Sequence, residues 1–136
     1  MAGKGNSEML LMENRLKTFK KWPYGEELKL NKAAMAAAGF YFIGSKKFPD
    51  SVKCFVCQKE LDGWEEEDDP WEEHKSHAPY CQFIILNKDE SAITVQEMHE
   101  LEMHRAVNLA KKMINNKIEE FKKQAGKTRS VIENMM

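Results

Sequence analysis

Every cysteine in this chain falls in one pattern. Cys54-Phe-Val-Cys57 is followed by His74, with sixteen residues between, and then by Cys81, with six more between. A Cys-x-x-Cys knuckle presents two thiolates to one metal ion without backbone strain. Zn²⁺ takes four soft or borderline donors in a tetrahedron. A third thiolate and an imidazole from a later segment would close the site and leave no open position for a reacting water. The spacing therefore predicts a structural Cys₃His zinc site, one Zn²⁺ per chain, built from Cys54, Cys57, Cys81 and one histidine. His74 and His77 both suit that last place. A redox-active knuckle would open a helix in a βαβ pattern, and no such pattern surrounds Cys54.

The remaining chemistry is charge. From Glu60 to Glu73 run nine carboxylates (Glu60, Asp62, Glu65, Glu66, Glu67, Asp68, Asp69, Glu72 and Glu73) with no lysine or arginine among them. From Arg105 to Arg129 eight basic residues face only Glu119 and Glu120. The chain is acidic in front and basic behind, so each half is expected to meet different partners. With 21 basic and 22 acidic side chains the formal net charge is −1, which predicts no direct nucleic-acid binding. The basic residues Lys111, Lys112, Lys117, Lys122, Lys123, Lys127 and Arg129 are expected to form a solvated helix face, with acidic tubulin a further candidate for it. The odd cysteine count and metal-like spacing predict a soluble protein of a reducing compartment, cytosol or nucleus. The longest early apolar run, Met9 to Met12, is too short for a signal peptide or membrane span.

These residues need elements to position them. Residues 1–6 read as a disordered start. Residues 1–14 form a partly helical arm, and Ser7 to Lys20 reads as one short helix. Asn31 suits the N-cap of a helix through Ala38, with Gly39 beyond its end. Phe40 to Gly44, Val52 to Phe55 and Lys59 to Leu61 read as strands. Asp69-Pro70-Trp71-Glu72 is a helix start, with Asp at the N-cap and Pro at the first helical position; His74 and His77 would share a face of that helix. A short turn after Pro79 returns Cys81 to the metal. The predicted fold class is α+β: a short three-stranded sheet with surrounding helices over residues 15–86. So small a unit buries too little apolar surface to be secure alone, and a structural metal contributes on the order of 10–16 kcal/mol.

Residues 87–93 read as a linker, and 94–136 as one long helix opened by the capping box Thr94-x-x-Glu97. From Val95 to Met135 there is no proline, giving a rod of roughly 60 Å. Val107, Ala110, Ile114, Ile118, Phe121, Ala125, Thr128, Ile132 and Met135 recur along it at intervals of three or four, a nearly heptad seam. A unit of this size cannot cover so long a stripe, so the seam is expected to dock helices of other proteins.

Arg15-Leu-Lys-Thr-Phe19, Trp22-Pro23, Ala38-Gly-Phe-Tyr41, Cys54-Phe-Val-Cys57, Leu61-x-x-Trp64-Glu65, Asp68-Asp-Pro-Trp-Glu-Glu-His74 and Cys81 together resemble a baculoviral inhibitor-of-apoptosis repeat. The likeness covers about half the chain and extends to family members with one repeat and one long C-terminal helix. It implies His74 as the fourth zinc ligand, leaving His77 free. It also implies a groove for a peptide that starts with a free α-amino group on alanine, the histone-three tail phosphorylated on its threonine being the chromosomal ligand. Asp62 and Asp68 would pair with the ammonium; Leu61 and Trp64 would wall the methyl group. Glu65 and Glu73 would face the following arginine or backbone, and Lys59 and His77 the phosphate. Asp62 stands where relatives carry the longer Glu. Trp71 is expected at the core edge.

In such relatives the long helix bundles with borealin and the inner centromere protein and so directs Aurora B kinase. The resemblance therefore implies a non-catalytic subunit of the chromosomal passenger complex, nuclear and cytoplasmic, at centromeres early in mitosis and at the spindle midzone and midbody later. It further implies a homodimer contact involving Leu10, Val95 and Met98. The second function the family suggests is apoptosis control through caspases or pro-apoptotic proteins with an Ala-first N-terminus. No second Cys/His cluster suits a RING-type ubiquitin ligase, and no nucleophile stands beside a base, so the chain does not read as an enzyme.

Overall fold

A computed structural model describes residues 7–136; the disordered start expected over residues 1–6 lies outside them. A 3₁₀ turn at Glu8–Leu10 precedes helix α1, Met12–Lys17. The single helix expected from Ser7 to Lys20 is thus broken at Leu11, whose backbone is extended (φ −92°, ψ 129°). The cause is Arg15, a buried guanidinium that must find acceptors. Its Nη1 donates to the carbonyls of Met9 (2.8 Å) and Leu10 (3.1 Å), and its Nε donates to that of Ala36 (2.9 Å). Those first two carbonyls turn toward the guanidinium instead of along a helix axis. The guanidinium also lies 4.4 Å from the centre of the Phe55 ring. Burial lowers the Arg15 pKa to about 10, so the group is still charged at neutral pH. Replacing Arg15 with Leu should orphan three carbonyls and destabilise the metal-loaded fold by about 3 kcal/mol or more in urea denaturation. Unchanged stability would remove Arg15 from the account of this corner.

Helix α2, Lys32–Ala37, begins where expected: the Asn31 side chain accepts from the Ala34 amide at 2.9 Å. It ends at Gly39, whose φ of +95° favours glycine. A Cβ there would also approach the Phe83 ring to 3.0 Å.

Strands β1 (Phe40–Phe42), β2 (Val52–Cys54) and β3 (Glu60–Leu61) form an antiparallel sheet in that order. Phe40 stands opposite Cys54, Phe42 opposite Val52, and Val52 opposite Leu61. Helix α3, Pro70–His77, is capped by Asp69, which accepts from the amides of Trp71 and Glu72. Cys81 is the N-cap of α4, Gln82–Leu86. The core gathers Phe40, Val52, Phe55, Val56, Leu30 and Met35, all at most 1% exposed. Trp71 packs edge-on against Phe83 at the core's margin, as expected.

Helix α5 runs from Val95 to Met135 with both halves of the Thr94–Glu97 capping box formed. Its start is docked, a contact the sequence reading did not assign. Leu101 and Arg105 are buried, the Asn108 side chain donates to the Val56 carbonyl (2.9 Å), and Lys112 pairs with Glu60 (3.2 Å). Beyond Lys112 every residue is exposed. No helix among the described residues is long and apolar enough to cross a membrane.

Candidate metal centre and peptide groove

Three separate segments deliver the four donors. The end of β2 carries Cys54 and the turn after it Cys57, α3 carries His74, and the entry to α4 carries Cys81. Their ligand atoms all lie within 4.8 Å of one another. The knuckle closes through Gln58, held at φ +65° with its Nε2 donating to the Phe55 carbonyl. His74 is fully buried, and its Nδ1 donates to the Ala38 carbonyl at 2.7 Å. That bond fixes the tautomer and leaves Nε2 bare, 3.6 Å from the Cys57 sulfur. Ala38 sits at the end of α2, just before Gly39, so the helix stop also orients the ligand.

Burial pushes the Cys54 thiol well above its usual range. At Cys57 a hydrogen bond with Cys54 favours the thiolate, but the bond with Cys81 and burial outweigh it and push the thiol up to about 12. Bonds from both other sulfurs hold Cys81 far below its ordinary value. Burial and mutual hydrogen bonding hold protons on the Cys54 and Cys57 sulfurs, and a bound cation would displace them. Three sulfurs and one tautomer-locked imidazole fit Zn²⁺ in a closed tetrahedral site. His77 stands apart from the cluster: although three residues from His74, it is exposed while His74 is buried, so the shared face expected for the two divides between core and solvent.

His77 instead lines a second feature, a pocket of about 120 Å³ with Leu61, Asp62, Gly63, Trp64, Asp68 and Glu73. Six of the eight residues expected to hold a peptide therefore meet at one place. Lys59 and Glu65 are exposed outside its lining. The loop after β3 is tightly held. Asp50 accepts from the amides of Gly63 (3.2 Å) and Trp64 (2.8 Å), the Tyr24 hydroxyl donates to the Trp64 carbonyl, and Gly63 has a φ of +71°. Asp68 accepts from the Glu65 amide at 2.9 Å through one oxygen. Glu73 and His77 approach to 3.4 Å on one face of α3. The Trp64 ring stands edge-on to Phe40 (5.8 Å), which in turn lies 4.6 Å from the His74 ring. Pocket wall and metal ligand thus share one aromatic neighbour. The sequence reading missed Asp50 and Tyr24, which nothing in local pattern distinguishes. It quoted Arg15 without a role, although Arg15 interrupts an apolar spacing with Met12 and Phe19.

On α5, Val107, Ile114, Ile118, Phe121 and Ile132 are each between 46% and 75% exposed, and Ala110 and Ala125 are exposed with them. Of the three dimer candidates, Leu10 and Met98 pack partly against the chain's own core, whereas Val95 is 90% exposed.

The family model described as "Inhibitor of Apoptosis domain" matches residues 15–85. Baculoviral IAP repeat-containing protein 5 of Mus musculus is 41% identical over 128 residues, covering 94% of this chain and 91% of its own. Baculoviral IAP repeat-containing protein 5.2 of Xenopus tropicalis is 41% identical over 91% of this chain and 80% of its own. Among solved structures, that of DIAP1 BIR1 bound to a Grim peptide is similar at 41% identity, with a TM-score of 0.47, covering 54% of this chain and 69% of that one. With one repeat over residues 15–85, a long helix after it, and likeness to relatives over nearly the whole length, the chain belongs to the baculoviral inhibitor-of-apoptosis repeat family, in its survivin branch.

Proposed function

We propose that the chain is a non-catalytic adaptor of dividing cells, reading one ligand with its repeat and joining a complex through its helix. In this reading Zn²⁺ is held by Cys54, Cys57, His74 and Cys81 as a purely structural ion. The acidic pocket takes the free N-terminus of the histone-three tail, and α5 bundles with borealin and the inner centromere protein to bring Aurora B kinase to centromeres and later to the midzone.

The observation that carries the reading is the convergence of Leu61, Asp62, Trp64, Asp68, Glu73 and His77 on one small pocket. An α-ammonium needs carboxylates close by, and Leu61 and the Trp64 indole give a small first side chain an apolar wall beside them. The Asp68 oxygen not engaged by the Glu65 amide is available to the ammonium. His77, a neighbour of Glu73, is exposed and can turn to an incoming phosphate, which adds about −1.5 to −2 charges. The exposed apolar stripe of α5 supports the scaffold half of the reading, since a free helix face of that length is under-buried unless other helices cover it.

Recovery of the tagged full chain from mitotic extract tests the whole. Borealin, the inner centromere protein and Aurora B should co-purify. Recovery of caspases or Ala-first pro-apoptotic proteins in their place would move the chain to apoptosis control, the second function open to an Ala-first pocket.

A further inference from the structure

The opposite edge of the sheet carries a second, differently charged recess. Phe42 on β1 stands across Val52 from Leu61, so it lies two strand spacings, about 10 Å, from the acidic pocket. A cavity of about 190 Å³ opens there, lined by Phe42, Gly44, Pro49, Ser45, Lys21 and Lys46. Its floor is built. A Cβ on Gly44 would come within 2.2 Å of the Phe42 ring and 2.8 Å of the Pro49 carbonyl, so only glycine lets the ring close over the backbone.

The loop above the floor is tied down. The Ser45 amide donates to the Phe48 carbonyl (3.0 Å), the Phe48 amide to the Ser45 hydroxyl (3.3 Å), and the Ile43 amide to the Ser51 carbonyl (3.0 Å). It presents Lys46, Lys47 and the half-exposed Phe48. Lys21, which lines the cavity from an earlier segment, and its neighbour Lys20 are exposed as well. None of these four lysines has a carboxylate within ion-pairing distance among the described residues. The one acid at the end of this loop, Asp50, is taken up by the amides of Gly63 and Trp64.

We propose that this recess binds an acidic linear peptide, which inserts one apolar side chain over Phe42 and Gly44 while carboxylates on either side of it pair with Lys21 and Lys46. An apolar floor ringed by unpaired cations selects that combination. A nucleic-acid backbone would use the charge but leave the floor unfilled, and the cavity has room for one large side chain. The site is independent of the acidic pocket, whose carboxylates would repel such a ligand.

The test uses the zinc-loaded full chain and a fluorescent peptide with an acetylated N-terminus and one phenylalanine flanked on each side by glutamates. Acetylation keeps it out of an ammonium-binding groove. Saturable binding is expected, weakened about tenfold by Lys21→Glu with Lys46→Glu, and weakened likewise when the peptide's phenylalanine becomes serine. Gly44→Val should abolish it by displacing Phe42. Should that variant lose zinc, the double lysine variant, which alters exposed side chains alone, still decides. No saturable binding, binding indifferent to the two lysines, or equal binding of the serine peptide would overturn the proposal. So would duplex DNA displacing the peptide at lower concentration with the same lysine dependence.

Discussion

A His74→Ala chain should hold no zinc and should lose the cooperative unfolding of residues 15–86, whereas His77→Ala should keep one zinc per chain. His74 is fully buried, and its Nδ1 is fixed on the Ala38 carbonyl so that only Nε2 can reach a metal. Its removal takes away one donor of four and opens a hole beside Phe40 at the centre of the core. A structural zinc contributes on the order of 10–16 kcal/mol to a small domain, more than such a domain's whole net stability. Treating the wild-type chain with a strong chelator should give the same unfolded repeat. His77 is exposed and pairs with Glu73 on the surface of α3, so its truncation should leave metal and fold intact. Elemental analysis and far-ultraviolet circular dichroism on both variants check this. Zinc retained by His74→Ala and lost by His77→Ala would reverse the ligand assignment.

The second large effect is expected far from the metal. Phe121→Glu should abolish co-purification with borealin and the inner centromere protein while leaving zinc content and peptide binding unchanged. Phe121 is 75% exposed in the lone chain, so a charge there is harmless to folding. Inside a packed helical bundle the same carboxylate would be desolvated without a partner, a penalty of several kcal/mol. The docked face of α5 is a different one, formed by Met98, Leu101, Arg105 and Asn108, which is why the repeat should not sense the change. Size-exclusion chromatography with light scattering would read the assembly directly. Normal assembly by Phe121→Glu would leave the stripe without its proposed role.

Where the sequence spoke clearly, it did so through local chemistry. Asn31, Asp69 and Thr94 with Glu97 are helix starts because each offers a side-chain oxygen to amides that would otherwise be unsatisfied. The knuckle with Cys81 was legible because metal geometry restricts which residue types can serve and at what spacing, whereas spacing left His74 and His77 both open and only the family resemblance implied His74. Most of the acidic pocket followed from the family motif, and the structure gathers those residues.

What remained hidden depends on tertiary contact. The break at Leu11 arises because a guanidinium buried against Phe55 captures carbonyls that helical spacing alone would have assigned to the helix. The docking of α5 was invisible for a related reason. Met98, Leu101, Arg105, Asn108 and Lys112 recur at helical spacing, but three of the five are polar: Asn108 and Lys112 grip the repeat by a hydrogen bond and a salt bridge, and the buried Arg105 is bonded to Glu102 of its own helix, so a hydrophobic period does not reveal them. Asp50 braces the pocket from thirteen and fourteen residues away, a distance at which sequence pattern carries no signal.

The central claim is that the acidic pocket recognises a free α-amino group. Titration calorimetry with the full zinc-loaded chain tests it most directly, using the Ala-Arg-Thr-first tail peptide in free, N-acetylated and threonine-phosphorylated forms. Acetylation removes the ammonium and leaves the Asp62 and Asp68 carboxylates without their partner, so the acetylated peptide should bind more weakly by about 2–5 kcal/mol. The phosphorylated peptide should bind more tightly than the free one, and His77→Ala should erase that preference. Equal affinity for the free and acetylated peptides would contradict the account.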